Sequence, residues 1–595
     1  MKALRTLLPY FRPYRRGVAL GLLLVIVGNA FTVSGPYVLK MAIDALATDP
    51  RSSVIARYAL LIVALALLAG IARYAMRELL NGISRRMETD IRNALFEHLM
   101  RLPPSFFDRW RTGDLMSRAT NDVQAVRMVA GPAIMYTVNT ITVAALALGL
   151  MVFIDPGLTL LAMIPMLLLP PTVFAFGTRI HRRFERIQAQ FSELSSFAQE
   201  NLAGVRIVKA YAREESQALQ FRSLNKEYRN RNLALARVWG AFHPSLILLT
   251  GVGAVVVLLF GGRQVIRGAI TLGDFVAFSF YLTQLMWPMI ALGWVTNLFQ
   301  RGAASMGRLN ELFQLEPTIS DPSSPVPLGH VRGQIEFDEV TFRYPGTRTP
   351  VLEDVSFRIE PGQTVAIVGA TASGKSTLAR LIPRLYDPSA GVVRIDGIDV
   401  RTLRLEALRG SIAFVPQEPF LFSMRLRRNI ELRYDRDEEA GEISEGLGRA
   451  IDIARLRQTL GVLPQGLDTR LGERGINLSG GQKQRATLAR AVYRDAPILI
   501  LDDALSAVDA ETETEILARL RAYLEGRTSI IISHRVSAVR DADLILVLDG
   551  GRVVERGVHD DLIRAGGRYA GLLERQLLAE ELAAPGPAFT AGAGA

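Results

Sequence analysis

The sequence predicts an α-helical membrane domain of six spans joined to an α/β domain, and three observations carry this prediction. Six uncharged apolar stretches occupy the first half, and a bilayer core of about 30 Å takes roughly 20 helical residues to cross. A Pro- and Ser-rich segment, "EPTISDPSSPVPLGH" at 316–330, ends that region. Short β-branched runs separated by helical segments follow it, which is typical of a largely parallel sheet.

The composition agrees with a membrane protein that carries a large soluble part. The chain has 595 residues, of which 49% are hydrophobic, and its mean hydropathy is +0.21. The net charge of +11 comes almost entirely from arginine and fits the positive-inside bias of membrane proteins, so no nucleic-acid partner is predicted. The chain has no cysteine, which excludes disulfides, thiolate metal sites and cysteine nucleophiles.

The arginine-rich connections predict which side of the membrane each loop faces. The connections at 81–127 and 179–237 are long and rich in arginine, which marks the cytoplasmic side and places the N-terminus and the second domain there. Structureless loops of that length are uncommon, so we expect long helices that turn near 111–123 and 204–214. The predicted spans are 17–39, 58–72 (continuing to about Leu80), 128–154, 156–178, 238–262 and 275–300.

These features predict four regions and a location. Residues 3–16 are predicted to form an amphipathic helix on the membrane surface, and no cleavable signal segment is expected. The protein is expected in a cytoplasmic (inner) membrane, in contact with the lipid bilayer. The predicted regions are a membrane domain at 1–315, a linker at 316–333, a nucleotide-binding domain at 334–575 and a disordered tail at 576–595.

A phosphate-binding loop follows the first apolar run of the second domain. "GATASGKS", at 369–376, fits GxxxxGK[ST] and lies between the strand "VAIV" and an apolar helical stretch. Backbone N–H groups would face the phosphates, Lys375 would reach the β- and γ-phosphates, and Ser376 would ligate Mg²⁺. The cofactors predicted are ATP and Mg²⁺. The remaining predicted nucleotide contacts in this loop are Gly369, Thr371, Ala372, Ser373, Gly374 and Thr377.

A second motif narrows the class of phosphate-binding protein. In "NLSGGQKQR", at 477–485, Ser479, Gly480 and Gly481 open a helix whose free N–H groups favour a γ-phosphate. With the P-loop, this motif resembles the signature of ATP-binding-cassette proteins. With six spans ahead of one cassette, residues 1–575 resemble an ABC exporter half-transporter of the multidrug and peptide type. The fold class implied is a six-span α-helical membrane domain fused to an α/β P-loop ATP-binding-cassette domain, in the type IV arrangement.

The resemblance also implies a dimer and assigns roles to further residues. ATP would lie between one chain's P-loop and the other chain's signature, including Gln482. Tyr344 matches the aromatic that stacks on adenine, Gln417 the residue that contacts Mg²⁺, and His534 the switch histidine near the γ-phosphate. Asp509 matches the loop that reaches across the dimer, and 472–475 matches a segment that contacts coupling helices, expected near 113–121 and 210–214.

The position after the metal-binding carboxylate departs from the family pattern. The apolar residues 498–501 lead into Asp502, as a buried strand that delivers a carboxylate to Mg²⁺. The next residue should be a glutamate that polarises the attacking water, but here it is Asp503. Because aspartate is shorter by one methylene, we expect a site that binds ATP and hydrolyses it slowly. The intact signature would then complete the site of a partner half-transporter that has the glutamate.

Other assignments stay open at this point. Asp503 could serve as a weaker base in a homodimer, and the chain could be a lipid flippase or a regulatory ATP-binding subunit. Few charges lie in the spans, so amphipathic or hydrophobic compounds or peptides are the expected cargo. Polar and aromatic residues within the spans could line a path for them, but helix packing or helix–helix hydrogen bonding explains each one taken singly better.

Overall fold

The computed structural model describes residues 2–48, 51–432, 443–535 and 538–583. Its contacts divide the chain into two compact units. The first unit comprises Met1–Met100 and Thr112–Leu315, and the second comprises Arg101–Arg111 and Glu316–Ala595. The short segment Arg101–Arg111 thus belongs with the second unit, although sequence analysis assigned it to the membrane domain.

Within the described residues, the first unit holds six helical segments long and apolar enough to cross a membrane. The sixth segment is a single helix that packs against the first and third, and the fifth packs against the fourth. Many large apolar side chains along the segments are exposed, as expected for surfaces that face lipid. The segments are Ala3–Thr48, Ser52–Arg101, Thr112–Ile154, Pro156–Ala203, Glu214–Ile266 and Leu272–Phe313.

The helices extend far beyond the apolar stretches that identified them. The second segment is one continuous helix of 50 residues, Ser52–Arg101, and it includes Arg73 and Arg77. Its turn comes at 102–111, before the predicted 111–123, because consecutive prolines at 103 and 104 cannot continue a helix. The second turn lies at 204–213, as expected, around the short helix Val205–Ala210.

Local sequence explains where several of these helices begin. Asp155 accepts a hydrogen bond from the backbone N–H of Leu158 and caps Pro156–Leu167, which is followed by Leu169–Ala203. Thr271 and Asp274 form a reciprocal capping box at the start of Leu272–Phe313. The third segment ends in the helix Ile134–Ile154, and the fifth is mostly the helix Glu214–Val256. Short polar connections therefore suffice to reverse the chain.

The second unit is built on two sheets. Its strands are β1 Ile335–Phe342, β2 Leu352–Ile359, β3 Thr364–Gly369, β4 Ala390–Ile395, β5 Ile398–Asp399, β6 Ile412–Val415, β7 Ile498–Asp502, β8 Thr528–Ile532, β9 Leu544–Asp549 and β10 Arg552–Gly557. The larger sheet has the order β10-β9-β3-β8-β7-β6 and is parallel except for β10. In it β3 and β7 both neighbour β8, so their carboxyl ends meet at one edge. This arrangement brings the P-loop after β3 close to the carboxylates after β7.

The smaller sheet was not predicted from the sequence. It is antiparallel, with the order β2-β1-β4-β5. Its strand β1 alternates buried and less buried side chains, a period-2 pattern that could have revealed it. The β-branched run "LILVLDGGRVVE", at 544–555, is likewise divided between two antiparallel strands, because Gly550 and Gly551 turn the chain with positive φ.

The helices of the second unit cover its sheets. They are Lys375–Leu381, Leu405–Gly410, Leu426–Glu431, Glu445–Ile453, Arg457–Val462, Gly480–Arg494, Ala510–Leu524, His559–Ala565 and Arg568–Ala583. We call Lys375–Leu381 the P-loop helix and Gly480–Arg494 the signature helix. The last helix runs to Ala583, past the predicted start of a disordered tail at 576, and the rest of that tail, 584–595, lies outside the described residues.

Candidate nucleotide-binding site

The predicted P-loop has the backbone that close approach to phosphate requires. It runs from the end of β3 to the P-loop helix and has positive φ at Gly369, Ala372 and Gly374. At Gly374 a Cβ atom would lie 2.9 Å from the carbonyl oxygen of Val351, so only glycine fits there. The loop therefore wraps tightly enough for its N–H groups to surround an anion.

The lysine of the loop is held in place before nucleotide arrives. The Lys375 Nζ donates to the carbonyl oxygens of Gly369 at 2.9 Å and Ala370 at 2.7 Å. Burial lowers the pKa of this ammonium group, and the carboxylates of Asp503 and Asp502 oppose that shift. The ammonium thus sits inside the loop, where it can exchange carbonyl partners for phosphate oxygens.

The metal-binding carboxylate has one oxygen paired and one left over. The Ser376 hydroxyl donates to Oδ1 of Asp502 at 2.8 Å, while Oδ2 of Asp502 is buried without a hydrogen-bond partner. Burial is the main cause that raises the pKa of Asp502. A divalent cation beside Ser376 and Asp502 would satisfy the unpaired oxygen and favour the ionised form, and hydroxyl and carboxylate oxygens are the ligands that Mg²⁺ prefers. These residues therefore fit the predicted Mg²⁺.

A cavity of about 350 Å³ gathers most of the predicted site residues. The side of the cavity opposite the loop is formed by Gln417, Asp502, Asp503 and His534. From the loop and its helix, Thr371, Ala372, Ser373, Gly374, Lys375, Ser376 and Thr377 line it. The structure thus brings together the residues predicted to hold phosphate and metal with those predicted to act on the γ-phosphate.

The predicted adenine-stacking residue lies next to this cavity. The Tyr344 hydroxyl is 3.0 Å from Oγ1 of Thr377 on the P-loop helix. Its ring packs edge-on against Phe342 and Tyr386, with centroids 4.9 and 5.4 Å away. Tyr344 is therefore fixed in position beside the nucleotide site, and which ring face meets adenine stays a prediction.

The signature residues form a separate helix start. Ser479 and Gln482 make a reciprocal capping box, in which the Ser479 Oγ accepts from the Gln482 N–H and the Gln482 side chain accepts from the Ser479 N–H. At Gly481 a Cβ atom would lie 2.8 Å from the carbonyl oxygen of Ala507. Among the described residues that line the P-loop cavity, none comes from 479–482. The signature and the P-loop are therefore separate regions of the described chain, and we call them the two predicted half-sites.

Asp503 is tightly fixed through its backbone. Its φ is +50°, a conformation that aspartate tolerates better than most residues. Its N–H donates to the carbonyl oxygen of Ile532 at 2.9 Å, and its own carbonyl oxygen accepts from the Ser506 hydroxyl at 3.1 Å. The start of the Asp503 side chain therefore has little freedom to move towards the nucleotide.

Two residues that sequence reasoning missed connect the half-sites. The Gln484 side chain, on the signature helix, donates to Oγ of Ser506 at 2.8 Å and accepts from the N–H of Ala507 at 2.8 Å. Arg535, directly after His534, pairs with Glu513 and donates to the carbonyl oxygen of Ser506 at 3.2 Å. Both residues have a recognisable position in the sequence, because Gln484 lies five residues after Ser479 and Arg535 directly follows His534. Only the contacts show that both hydrogen-bond to Ser506.

The segment Arg101–Arg111 packs within the second unit. The Tyr386 hydroxyl donates to Oδ2 of Asp108 at 2.7 Å, and burial together with this bond raises the Tyr386 pKa. Tyr386 also contacts Tyr344 edge-on. The contact predicted between 472–475 and the coupling helices near 113–121 and 210–214 is a separate one and stays a prediction.

Comparisons with known proteins agree with both units. The family model described as "ABC transporter transmembrane region" matches residues 18–289, and the one described as "ABC transporter" matches residues 352–506. The solved structure of a bacterial Atm1-family ABC exporter with ATP bound has a TM-score of 0.77 and 28% identity. That match covers 94% of this chain and 99% of the other.

Curated relatives match along almost the whole chain. YheI of Bacillus subtilis, an ABC transporter ATP-binding/permease protein, is 37% identical over 96% of this chain and 97% of its own length. The multidrug resistance-like ATP-binding protein MdlA of Escherichia coli is 37% identical over 96% of each chain. An ATP-dependent lipid A-core flippase of Syntrophus aciditrophicus is 34% identical over 97% and 95%. The chain therefore belongs to the ABC transporter family, as an exporter half-transporter that binds ATP with Mg²⁺ and couples it to export across a membrane.

Proposed function

We propose that this chain is the slow-site half of a heterodimeric exporter. The cargo is amphipathic or hydrophobic compounds or peptides, moved out of the cytoplasm across the inner membrane. In this respect it resembles the Asp-bearing subunit of the thermophile multidrug exporter TmrAB. The connections at 81–127 and 179–237, which we call the two helical extensions, are rich in arginine. This enrichment supports a cytoplasmic position for the extensions and for the nucleotide-binding domain. The bacterial relatives support the inner membrane.

Asp503 is the observation that carries the proposal. It lines the cavity beside Lys375 and Asp502, where the general base would act on the attacking water. The side chain is one methylene shorter than glutamate, which retracts the carboxylate by roughly 1 Å, and a misplacement of that size can lower a rate about 100-fold. The hydrogen bonds at its N–H and carbonyl oxygen keep the backbone from moving forward to compensate.

The rest of the site supports binding without fast turnover. Lys375, Ser376 and Asp502 hold the positions that phosphate and Mg²⁺ need, so the missing methylene leaves ATP affinity unaffected. In the proposed cycle His534 would contact the γ-phosphate and Gln417 would contribute to holding Mg²⁺, since both line the cavity. This chain's Ser479, Gly480 and Gly481 complete the partner's site, which holds the glutamate and hydrolyses ATP. ATP drives transport only through its higher affinity for the closed cassettes.

The first test is Mg-ATP turnover by this chain alone in lipid nanodiscs, with ATP binding measured in parallel. We expect binding with slow turnover, and an increase of about 10- to 100-fold in Asp503→Glu because the carboxylate regains its reach. Asp560→Glu, which makes the same change at an exposed helix start, serves as the matched control. The opposite outcome is fast turnover by the wild-type chain and the same rate in Asp503→Glu. It would show that Asp503 suffices as base, and the heterodimer proposal would be wrong.

A second candidate function is lipid flipping by a homodimer. It is favoured by the similarity over nearly the full length to proteins described as lipid A-core flippases. Uptake of a fluorescent peptide and of a fluorescent lipid by the same reconstituted vesicles separates the two. Peptide uptake that needs a glutamate-bearing partner supports the export proposal, whereas lipid movement by this chain alone supports the flippase.

A further inference from the structure

A cavity in the first unit contains two arginines at membrane depth. It has a volume of about 310 Å³ and lies among the first, second, third and sixth helical segments. Arg73 and Arg77, one helical turn apart on the second segment, line it together with Asn29, Thr32 and Asn139. This cavity lies wholly in the first unit and takes no part in the nucleotide site.

The packing of Gly28 places Arg73 close to the middle of the bilayer. At Gly28, a Cβ atom would contact the Cβ of Ala72 at 3.3 Å and the backbone nitrogen of Arg73 at 3.9 Å. Gly28 lies halfway along the apolar stretch 17–39, about 16 Å from either end at 1.5 Å per residue. Although Arg73 directly follows the uncharged stretch 58–72, this packing aligns it with the middle of the first span, and an ionisable group at this depth is costly unless it has a function.

Among the described residues, no carboxylate pairs with either guanidinium group. The only hydrogen bond that the described residues give Arg73 goes to the hydroxyl of Thr32, at 3.3 Å, and they give Arg77 no hydrogen bond or ion pair. No Asp or Glu is among the described residues that line the cavity. By contrast, Lys40, also in the first unit, pairs with Asp274 at 2.6 Å. Two cations thus face one cavity with most of their donors unused.

The walls beside the arginines suit an amphiphile. Trp287 and Tyr136 line the same cavity, and the Tyr136 ring packs edge-on against Trp294 at 4.9 Å. Trp294 in turn lines a second, larger cavity of about 850 Å³ whose walls are mainly apolar. A charged head at the arginines and an apolar tail along these aromatic rings would satisfy both surfaces.

We propose that Arg73 and Arg77 form a binding subsite for the anionic head group, a phosphate or carboxylate, of an amphiphilic substrate. The guanidinium forks, which are exposed at the rim of the cavity, donate charge-assisted hydrogen bonds to the anion, and the Thr32 hydroxyl already accepts one hydrogen bond from Arg73. This inference names the substrate class for the export proposed above and rests on that function.

The test is binding of three probes to the transporter in nanodiscs without nucleotide. Dodecyl phosphate carries the anion and the chain, inorganic phosphate carries the anion alone, and dodecyltrimethylammonium carries the chain with the opposite charge. We expect dodecyl phosphate to bind, and its affinity to fall at least about tenfold in Arg73→Gln/Arg77→Gln, because each charge-assisted hydrogen bond accounts for about that factor. Arg73→Lys should retain part of the affinity. Arg57→Gln is the matched control, since it removes an exposed arginine of the same helix outside the cavity.

Each outcome decides the proposal. The proposal is overturned if dodecyl phosphate binds equally well to the wild type and to the double variant. It is also overturned if the wild type binds both dodecyl probes equally well. Binding of inorganic phosphate that also depends on the arginines supports the anion site and shows that a free anion suffices. Mg-ATP turnover of the same samples reports separately on the proposed slow site and on folding. If a variant loses probe binding but keeps its turnover, the defect lies at the arginines.

Discussion

The nucleotide cavity of the second unit and the arginine cavity of the first unit are built in opposite ways. Around the P-loop, Lys375, Ser376 and Asp502 hold one another or the loop backbone, and one oxygen of Asp502 remains for a cation. Around Arg73 and Arg77, one 3.3 Å hydrogen bond is the only polar contact that the described residues give either side chain. The first arrangement is specific for one ligand geometry, whereas the second leaves its donors free for ligands of different shape. The second arrangement agrees with the proposed export of amphiphilic cargo, and the first with the binding of a single nucleotide.

The largest expected effect tests how far the nucleotide site depends on its prearranged lysine. Lys375→Ala should lower the affinity for Mg-ATP at this chain's site by about 100-fold or more, since Lys375 would make charge-assisted hydrogen bonds to two phosphates. Equilibrium binding of a fluorescent ATP analogue measures the loss. Lys226→Ala, an exposed lysine on a helical extension, should leave binding unchanged. Retained affinity in Lys375→Ala would mean that backbone N–H groups alone hold the phosphates.

A smaller effect should separate the two half-sites of the cassette. Gly481→Ala places a methyl group 2.8 Å from the carbonyl oxygen of Ala507, so the start of the signature helix must shift. We expect ATP turnover of the proposed heterodimer to fall about 10- to 100-fold, while ATP binding at this chain's own P-loop is unchanged.

The control for this variant is Gly448→Ala. Its added methyl group meets only the Ile443 side chain, at 3.9 Å, an ordinary contact, and alanine favours a helix. A loss of ATP binding at this chain's P-loop in Gly481→Ala would contradict the separation, because it would tie the signature to the same chain's nucleotide.

The smallest effect concerns packing in the first unit. A Cβ atom at Gly302, on the sixth helical segment, would overlap the side chain of Val129, whereas at Gly307 on the same helix nothing lies within 4 Å. Gly302→Ala should therefore destabilise the first unit by about 1–3 kcal/mol, partly offset by helix propensity, and lower the melting temperature by a few degrees in detergent.

Gly307→Ala provides the comparison on the same helix. It should leave the melting temperature equal or slightly raised, because the methyl group meets open space. Equal melting temperatures for the two variants would show that the helices separate easily at Val129, and that the first unit is more adaptable than its packing indicates.

Much of the fold followed from the sequence because its signals are local. The length of the apolar stretches and their lack of charge identified the six spans. The P-loop and signature motifs were found because a tight turn requires glycine and a helix start favours serine. The antiparallel sheet of β1, β2, β4 and β5 was missed, because half-buried alternating strands give weak signals and their partners are distant in sequence. The turn at 102–111 was placed too late, although Pro103 and Pro104 mark it.

The sequence by itself determined the chemistry of this protein, namely the lysine, serine and carboxylate of an ATP site and the aspartate that replaces its base. Only the tertiary structure decided which side chains share a cavity. It joined Asp502 and Ser376, which are far apart in the chain, since β3 and β7 both flank β8. It likewise placed Arg73 and Arg77 at the same cavity as Asn29 and Asn139, because the close packing at Gly28 sets how the first two helices meet. Residue type fixes what a group can do, whereas the packing of distant segments fixes what it can reach.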